Sequence, residues 1–359
     1  MRRGFGMMAL AFCSLACGED PPDTSPSGTT GGAGAGGSSA TTSGSGGGGA
    51  TATAGTGGYT VPDPDRCSSG PGEVLAVDVW SAELALDADY IYVLASADSS
   101  LELSRLPLAG GAPERLATQS LYGFGLGVRD GVVSWLARPE LLVMLDEDYV
   151  DWNVWTLPSP GAEPSVALQD GVRHLSVGPR GIVNSRIEPL VIQLQGEDGP
   201  SDVCPATGVN ELASNANLAV WSQWDALFTC SLDDGTQSEL APGDEKTPAG
   251  LLVDDEYAYW GSDSDPGVWR APLPGGAAES LAADVTTRLL GLAGGYLYFA
   301  PSTSAVATQI QRVDLGSKAI ETVVSEQGNI TNLVADATHV YWYEYNSNQF
   351  YCLKRAEVP

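Results

Sequence analysis

Two histidines in a chain of 359 residues leave almost no material for a serine–histidine couple or a multi-histidine metal centre. Basic residues are also scarce. Against 45 aspartates and glutamates stand 17 lysines and arginines, a formal net charge of -28, so a bare phosphate backbone would be repelled and no nucleic-acid partner is expected. The apolar stretch from Phe5 to Ala16 falls short of the roughly 20 residues that a membrane helix needs. With 44 glycines, 23 prolines and 17% charged residues beside 43% hydrophobic ones, the composition excludes a long helical bundle and global disorder alike. The length allows two domains or one large all-β domain.

What is present begins with an address. Met1-Arg2-Arg3 followed by the Phe5–Ala16 stretch has the basic and apolar regions of a signal peptide, assigned to residues 1–16. Ser14-Leu15-Ala16-Cys17 resembles a bacterial lipoprotein lipobox, which makes Cys17 the expected lipidation site and an outer-membrane or cell-surface position the expected address. The same boundary also satisfies the small-residue rule for soluble export, so a periplasmic or secreted protein is the alternative. Residues 17–58 form a tether. From 27 to 58 they contain only Gly, Ser, Thr and Ala, and a coil of 32 such residues reaches roughly 30 Å.

The remainder, residues 59–359, is repetitive. Tyr90-Ile91-Tyr92-Val93, Tyr257-Ala258-Tyr259-Trp260, Tyr296-Leu297-Tyr298-Phe299 and His339-Val340-Tyr341-Trp342 share one alternating aromatic pattern, the language of β-strands. With weaker copies ending at Trp135, Asn184 and Trp221, the units recur at spacings of 42, 49, 37, 39, 39 and 43 residues. A second motif keeps the same register, with Arg105, Arg270, Arg312 and Arg355 following their anchors by 12, 10, 13 and 13 residues. Turn signals such as Gly110-Gly111 and Gly275-Gly276 come next, followed by a short final strand. The spacing predicts an all-β, seven-bladed β-propeller of four-stranded antiparallel blades. The last unit lacks its fourth strand, and Gly70-Pro71-Gly72-Glu73-Val74-Leu75-Ala76 matches that strand elsewhere, so the N-terminal strand is expected to close the last blade.

This repeat resembles the TolB-like and YWTD-like β-propeller repeats, in particular copies on exported bacterial lipoproteins with Gly/Ser tethers. The resemblance covers about residues 66–359. The YWTD tetrapeptide itself is absent, with Tyr259-Trp260-Gly261-Ser262 the nearest approach. The resemblance implies fold and export rather than activity, because propellers host unrelated functions.

Four cysteines remain beyond the leader, Cys67, Cys204, Cys230 and Cys352, and in an exported chain they are expected to form two disulfides. Three connectivities are open, and the preferred one joins Cys204 to Cys230 and Cys67 to Cys352, the second stapling the ring. The repeated arginines are expected to pair with turn carboxylates such as Asp87, Asp254 or Asp336. The repeated aromatics are expected to form core.

Binding is sought where the repeat is broken. The second unit carries an insertion, Arg138 to Trp152, with Asp146, Asp148, Tyr149 and Trp152. Asp263, Asp265 and Tyr345 fall on the same face in other units. Carboxylates beside aromatics suit a sugar, a cationic partner or calcium, although Asp263-Ser264-Asp265 lacks EF-hand spacing and no metal site or other cofactor is expected. The resulting expectation is a monomeric, non-catalytic propeller. It would bind a protein or glycan of the cell envelope and touch the membrane only through its lipid anchor. The alternative is a propeller enzyme of lyase or lactonase type acting in the central channel.

Overall fold

The computed structural model describes residues 67, 72–77, 82–97, 100–119, 122–138, 152–169, 171–187, 189–196, 199–224, 226–241, 248–262, 266–303, 306–326, 328–345 and 351–358. All lie in the compact unit Thr56–Pro359. Among them the regular elements are strands, and no helix is long and apolar enough to cross a membrane.

The strands form seven four-stranded antiparallel sheets and one short hairpin, Ser302–Thr303 with Val306–Ala307. In blade 1 the order from the inside outward is Ala82–Leu86, Tyr90–Ala97, Ser100–Pro107 and Glu114–Gln119. The inner strands of blades 2 to 7 are Tyr122–Arg129, Val172–Gly178, Val209–Ser214, Pro248–Val253, Leu290–Ala293 and Asn329–Ala335. Each touches the inner strand of the next blade, and the seventh touches the first, so the blades stand in a ring around a central channel. The chain is a seven-bladed β-propeller. Blade 7 takes its outer strand from the front of the chain, where Glu73–Val77 pairs antiparallel with Tyr351–Glu357 and Glu73 lies opposite Arg355.

Stacking sheet on sheet buries both faces of the second strand, which is why its two alternating sets of side chains are both apolar. In blade 5, Tyr259 faces the blade 6 core of Leu297, Phe299 and Val313, while Ala258 and Trp260 face the blade 4 core of Val220 and Leu227. Blade 7 repeats the arrangement, with Tyr341 and Tyr343 toward blade 1 and Val340 and Trp342 toward blade 6. Trp135, Trp221, Trp260 and Trp342 are each fully buried at these seams.

The repeated arginines do not pair with the turn aspartates. Arg105, Arg270, Arg312 and Arg355 instead reach a glutamate on the outer strand of their own blade, Glu114 at 2.7 Å, Glu279 at 2.5 Å, Glu321 at 2.5 Å and Glu73 at 2.8 Å. The geometry explains this. The third and outer strands are adjacent, so a side chain on one faces its cross-strand neighbour on the other, and Arg105 lies opposite Glu114 just as Arg355 lies opposite Glu73. The aspartates organise the inner turn. Asp87 Oδ1 accepts the backbone N–H groups of Asp89 and Tyr90, and its Oδ2 accepts the Tyr92 hydroxyl at 2.7 Å. Asp254 with Tyr259 and Asp336 with Tyr341 repeat the device. In blade 6 an alanine, Ala293, stands where the aspartate would be.

Two disulfides are present with the preferred connectivity. Cys204 on the outer strand of blade 3 joins Cys230 on the third strand of blade 4, and Cys67 joins Cys352 with Cα atoms 6.0 Å apart. Cys352 lies opposite Val77, so this bond meets blade 7 at the far end of its closing strand. Between blades 6 and 7, Lys354 bridges Glu326, just past the outer strand of blade 6, at 3.0 Å and Glu344 of blade 7 at 2.5 Å, all three side chains fully buried.

Candidate functional site

The inner-to-second turns of all seven blades and the third-to-outer turns of blades 1 to 6 lie on one face of the ring, and the second-to-third loops and the inter-blade connections on the other. The repeated Asp–Tyr devices occupy the first face. The second, called here the loop face, carries the departures from the repeat. Of four large apolar side chains exposed among the described residues, three lie on it: Trp224 at 72%, Leu190 at 48% and Val306 at 46%. Ile320, the fourth, is on the opposite face.

Trp224 is unusual for a local reason. Gln223 and Ala226 are paired in register, so the hairpin between them has only two residues, and tight hairpins of this kind require positive φ. Asparagine or glycine normally fills that position, yet Trp224 occupies it with φ 55°. A bulky side chain held there stores about 1–3 kcal/mol of backbone strain. The indole edge rests against Gly208, where an added Cβ would sit 3.5 Å from Nε1. Beside it the Gln223 amide donates to Thr207 Oγ1 at 3.0 Å, and the Ala206 N–H donates to the Leu190 carbonyl at 3.0 Å. Leu190, Ala206, Thr207, Gly208, Gln223 and Trp224 therefore form one strip across blades 3 and 4.

The residues singled out from the sequence fare differently. Asp146, Asp148, Tyr149, Asp263 and Asp265 lie outside the described residues, as does Cys17. Trp152 is half-buried, edge-on to Phe124 with centroids 4.7 Å apart, and carries the Arg138 guanidinium 4.9 Å above its ring. Its contacts fix the base of the loop that it ends. Tyr345 packs on Tyr351 at 4.7 Å, closing the neck of the corresponding loop in blade 7, so the two aromatics stand on different blades.

A second group stands on the inner strands, where a sequence read as offering few polar candidates in fact places several. Inner-strand bulges at Val172/His174 and Val209/Glu211 re-aim the residues that follow them. His174 Nδ1 meets Ser185 Oγ at 2.9 Å. Burial, reinforced by the charge of Arg173 and opposed by a backbone partner at Asn210, lowers the His174 pKa to about 4 and keeps the ring neutral. Glu211 is pushed upward by burial and by the charge of Glu83, against the Gly250 N–H and Arg288 that favour its ionised form. Gly250 can make that approach because it has no side chain. Its φ is +64°, and a Cβ would lie 2.2 Å from the Arg288 carbonyl oxygen. Burial alone raises Glu83. Among the described residues no group of three or more histidines, cysteines and carboxylates is arranged to hold a metal ion. The signal missed in the sequence was polarity at inner-strand positions: Glu83 stands in the otherwise apolar strand Ala82–Leu86, and Glu211 follows Asn210 in Val209–Ser214.

Comparison with known proteins places the fold and no more. No family model matches the chain, and no curated protein matches it. Among solved structures it is similar to the computationally designed Ika8 protein, at 12% identity and TM-score 0.52 over 80% of this chain and 98% of that one. It is also similar to a Mycobacterium tuberculosis puromycin-hydrolyzing peptidase, at 14% identity and TM-score 0.59, covering 81% of this chain and 52% of the peptidase. A prolyl endopeptidase matches at 12% identity and TM-score 0.55, covering 80% and 51%. The chain thus spans about half the length of either peptidase.

Proposed function

We propose that the chain is an exported, non-catalytic propeller, held by its tether from a lipidated Cys17, that binds a protein or glycan of the cell envelope through its loop face. The observation that carries this reading is the Leu190–Trp224 strip, where a tryptophan is both strained and exposed. Two disulfides, one between neighbouring blades 3 and 4 and one tying the front of the chain to blade 7, belong to an oxidising, exported compartment. The acidic surface sets aside nucleic acid and favours a neutral or basic partner.

A second reading, an enzyme working in the channel, is favoured by the inner-strand carboxylates Glu83 and Glu211 and by the His174–Ser185 pair. Capture from envelope fractions by the full chain separates the two. On the binding reading, the pair of changes Leu190→Ser and Trp224→Gly abolishes capture while Glu83→Gln leaves it intact. The opposite pattern would transfer function to the channel.

A further inference from the structure

Lys354, Glu326 and Glu344 place three ionisable side chains, all completely withdrawn from solvent, against one another between blades 6 and 7. Lys354 on the third strand of blade 7 lies opposite Trp342 on the second. Glu344 follows along that second strand on the same face as Trp342, so the lysine and the glutamate leave the sheet together. Glu326 arrives from blade 6, just past Ile320–Ser325, where its backbone N–H donates to the Thr308 carbonyl at 2.7 Å. Gly328 backs the Glu344 side chain so closely that an added Cβ would lie 2.6 Å from Glu344 Cγ. The Lys354 ammonium meets the Glu344 carboxylate at 2.5 Å and donates to Glu326 Oε2 at 3.0 Å.

We infer that Lys354 and Glu344 condense into an isopeptide bond, with Glu326 carrying the protons. Burying an ion pair costs desolvation that its attraction barely repays, and an amide bears neither charge. Fixing the reactants in one geometry supplies the concentration that the condensation lacks in solution, and burial keeps bulk water from reversing it. The steps balance. Glu326 accepts a proton from the ammonium and passes it to a Glu344 carboxyl oxygen, and the neutral amine adds its electron pair to Glu344 Cδ. Nζ then yields a second proton, which Glu326 conveys to the same oxygen, and the Cδ–O bond breaks to release water. An ammonium and a carboxylate thus become an amide and one water, with no oxidant or cofactor. The bond ties the second and third strands of blade 7 by a link that thiols do not cut, whereas the Cys67–Cys352 bond on the same third strand is reducible. The site is independent of the loop-face strip.

Mass spectrometry of the purified full chain, reduced, alkylated and digested, tests this. Trypsin has no site between Lys318 and Lys354, and an acylated lysine resists cleavage. The expected tryptic peptide therefore runs from 319 to 355 and is one water lighter than its sequence. Further digestion with chymotrypsin should leave a branched product that joins a fragment holding Glu344 to one holding Lys354. Glu326→Gln keeps the side-chain shape and leaves Lys354 beside Glu344, so a chain that melts as the wild type does should condense about 10²–10⁴-fold more slowly and retain its full mass when freshly made. The inference is overturned if the wild-type peptide carries its full mass and is cut after Lys354, if the branch falls on Glu326, or if folded Glu326→Gln condenses as fast as the wild type. Should Glu326→Gln fail to fold, the mass of the wild-type peptide still decides.

Discussion

Glu83 illustrates how a single residue can be held against its own stability. Burial raises its pKa from an ordinary value near 4.5, so the folded state disfavours the carboxylate that the unfolded chain forms freely. The penalty is absent where both states are protonated, grows as pH rises through 4.5, and is constant above the folded pKa. Glu83→Gln should therefore match the wild type in thermal melts near pH 3.5 and melt higher at pH 7. A constant difference at both pH values would show that burial of the charge is not the cause. Lys354 presents the opposite case, with one cation bridging two buried carboxylates. Lys354→Met leaves both without it and should cost about 3–5 kcal/mol in urea unfolding.

At the scale of the strand, the arginine is the fastener between blades. Arg270 stacks 4.5 Å over Tyr257, pairs with Glu279 within its sheet, and donates to the Leu315 carbonyl of blade 6 at 3.0 Å. Arg355 reaches the Leu108 carbonyl of blade 1 in the same manner. A lysine keeps the charge but lacks the planar fork that serves these partners together. Arg270→Lys is accordingly expected to cost about 1–2 kcal/mol, measured by denaturant midpoint at unchanged slope.

The strand pattern was legible because buried aromatics recur with period two in each second strand, and a repeat multiplies a weak signal. The arginine's partner was not, since Asp87 and Glu114 are both carboxylates within reach in sequence, and only cross-strand register distinguishes them. The same limit hid the site. Trp224 looks in sequence like another blade aromatic close to Trp221, and its exposure follows from a two-residue hairpin whose length only the register of Gln223 with Ala226 reveals. Glu83 and Glu211 lie on different blades, and only the ring shows that both stand on inner strands.

At the scale of the whole molecule, a ring assembled from stacked blades is weakest where the chain's two ends meet. The structure secures that seam three times: by the Glu73–Val77 pairing, by Arg355 with Glu73, and by Cys67–Cys352 across a sequence separation of 285. Closing so long a loop restricts the unfolded chain by about 5 kcal/mol in the chain-entropy argument. Replacing both cysteines with serine should lower stability by up to about that amount, checked by calorimetry under non-reducing conditions, while Cys204 and Cys230 stay bonded.

Whether the strained, exposed tryptophan serves binding, as proposed, is decided by one paired measurement on Trp224→Gly. Glycine accepts the positive φ without strain, so the variant should melt at or above the wild-type temperature while its affinity for the captured envelope component falls at least about thirtyfold, as for an interface hot spot. A variant that is equally folded and binds with wild-type affinity would overturn the binding role proposed for Trp224.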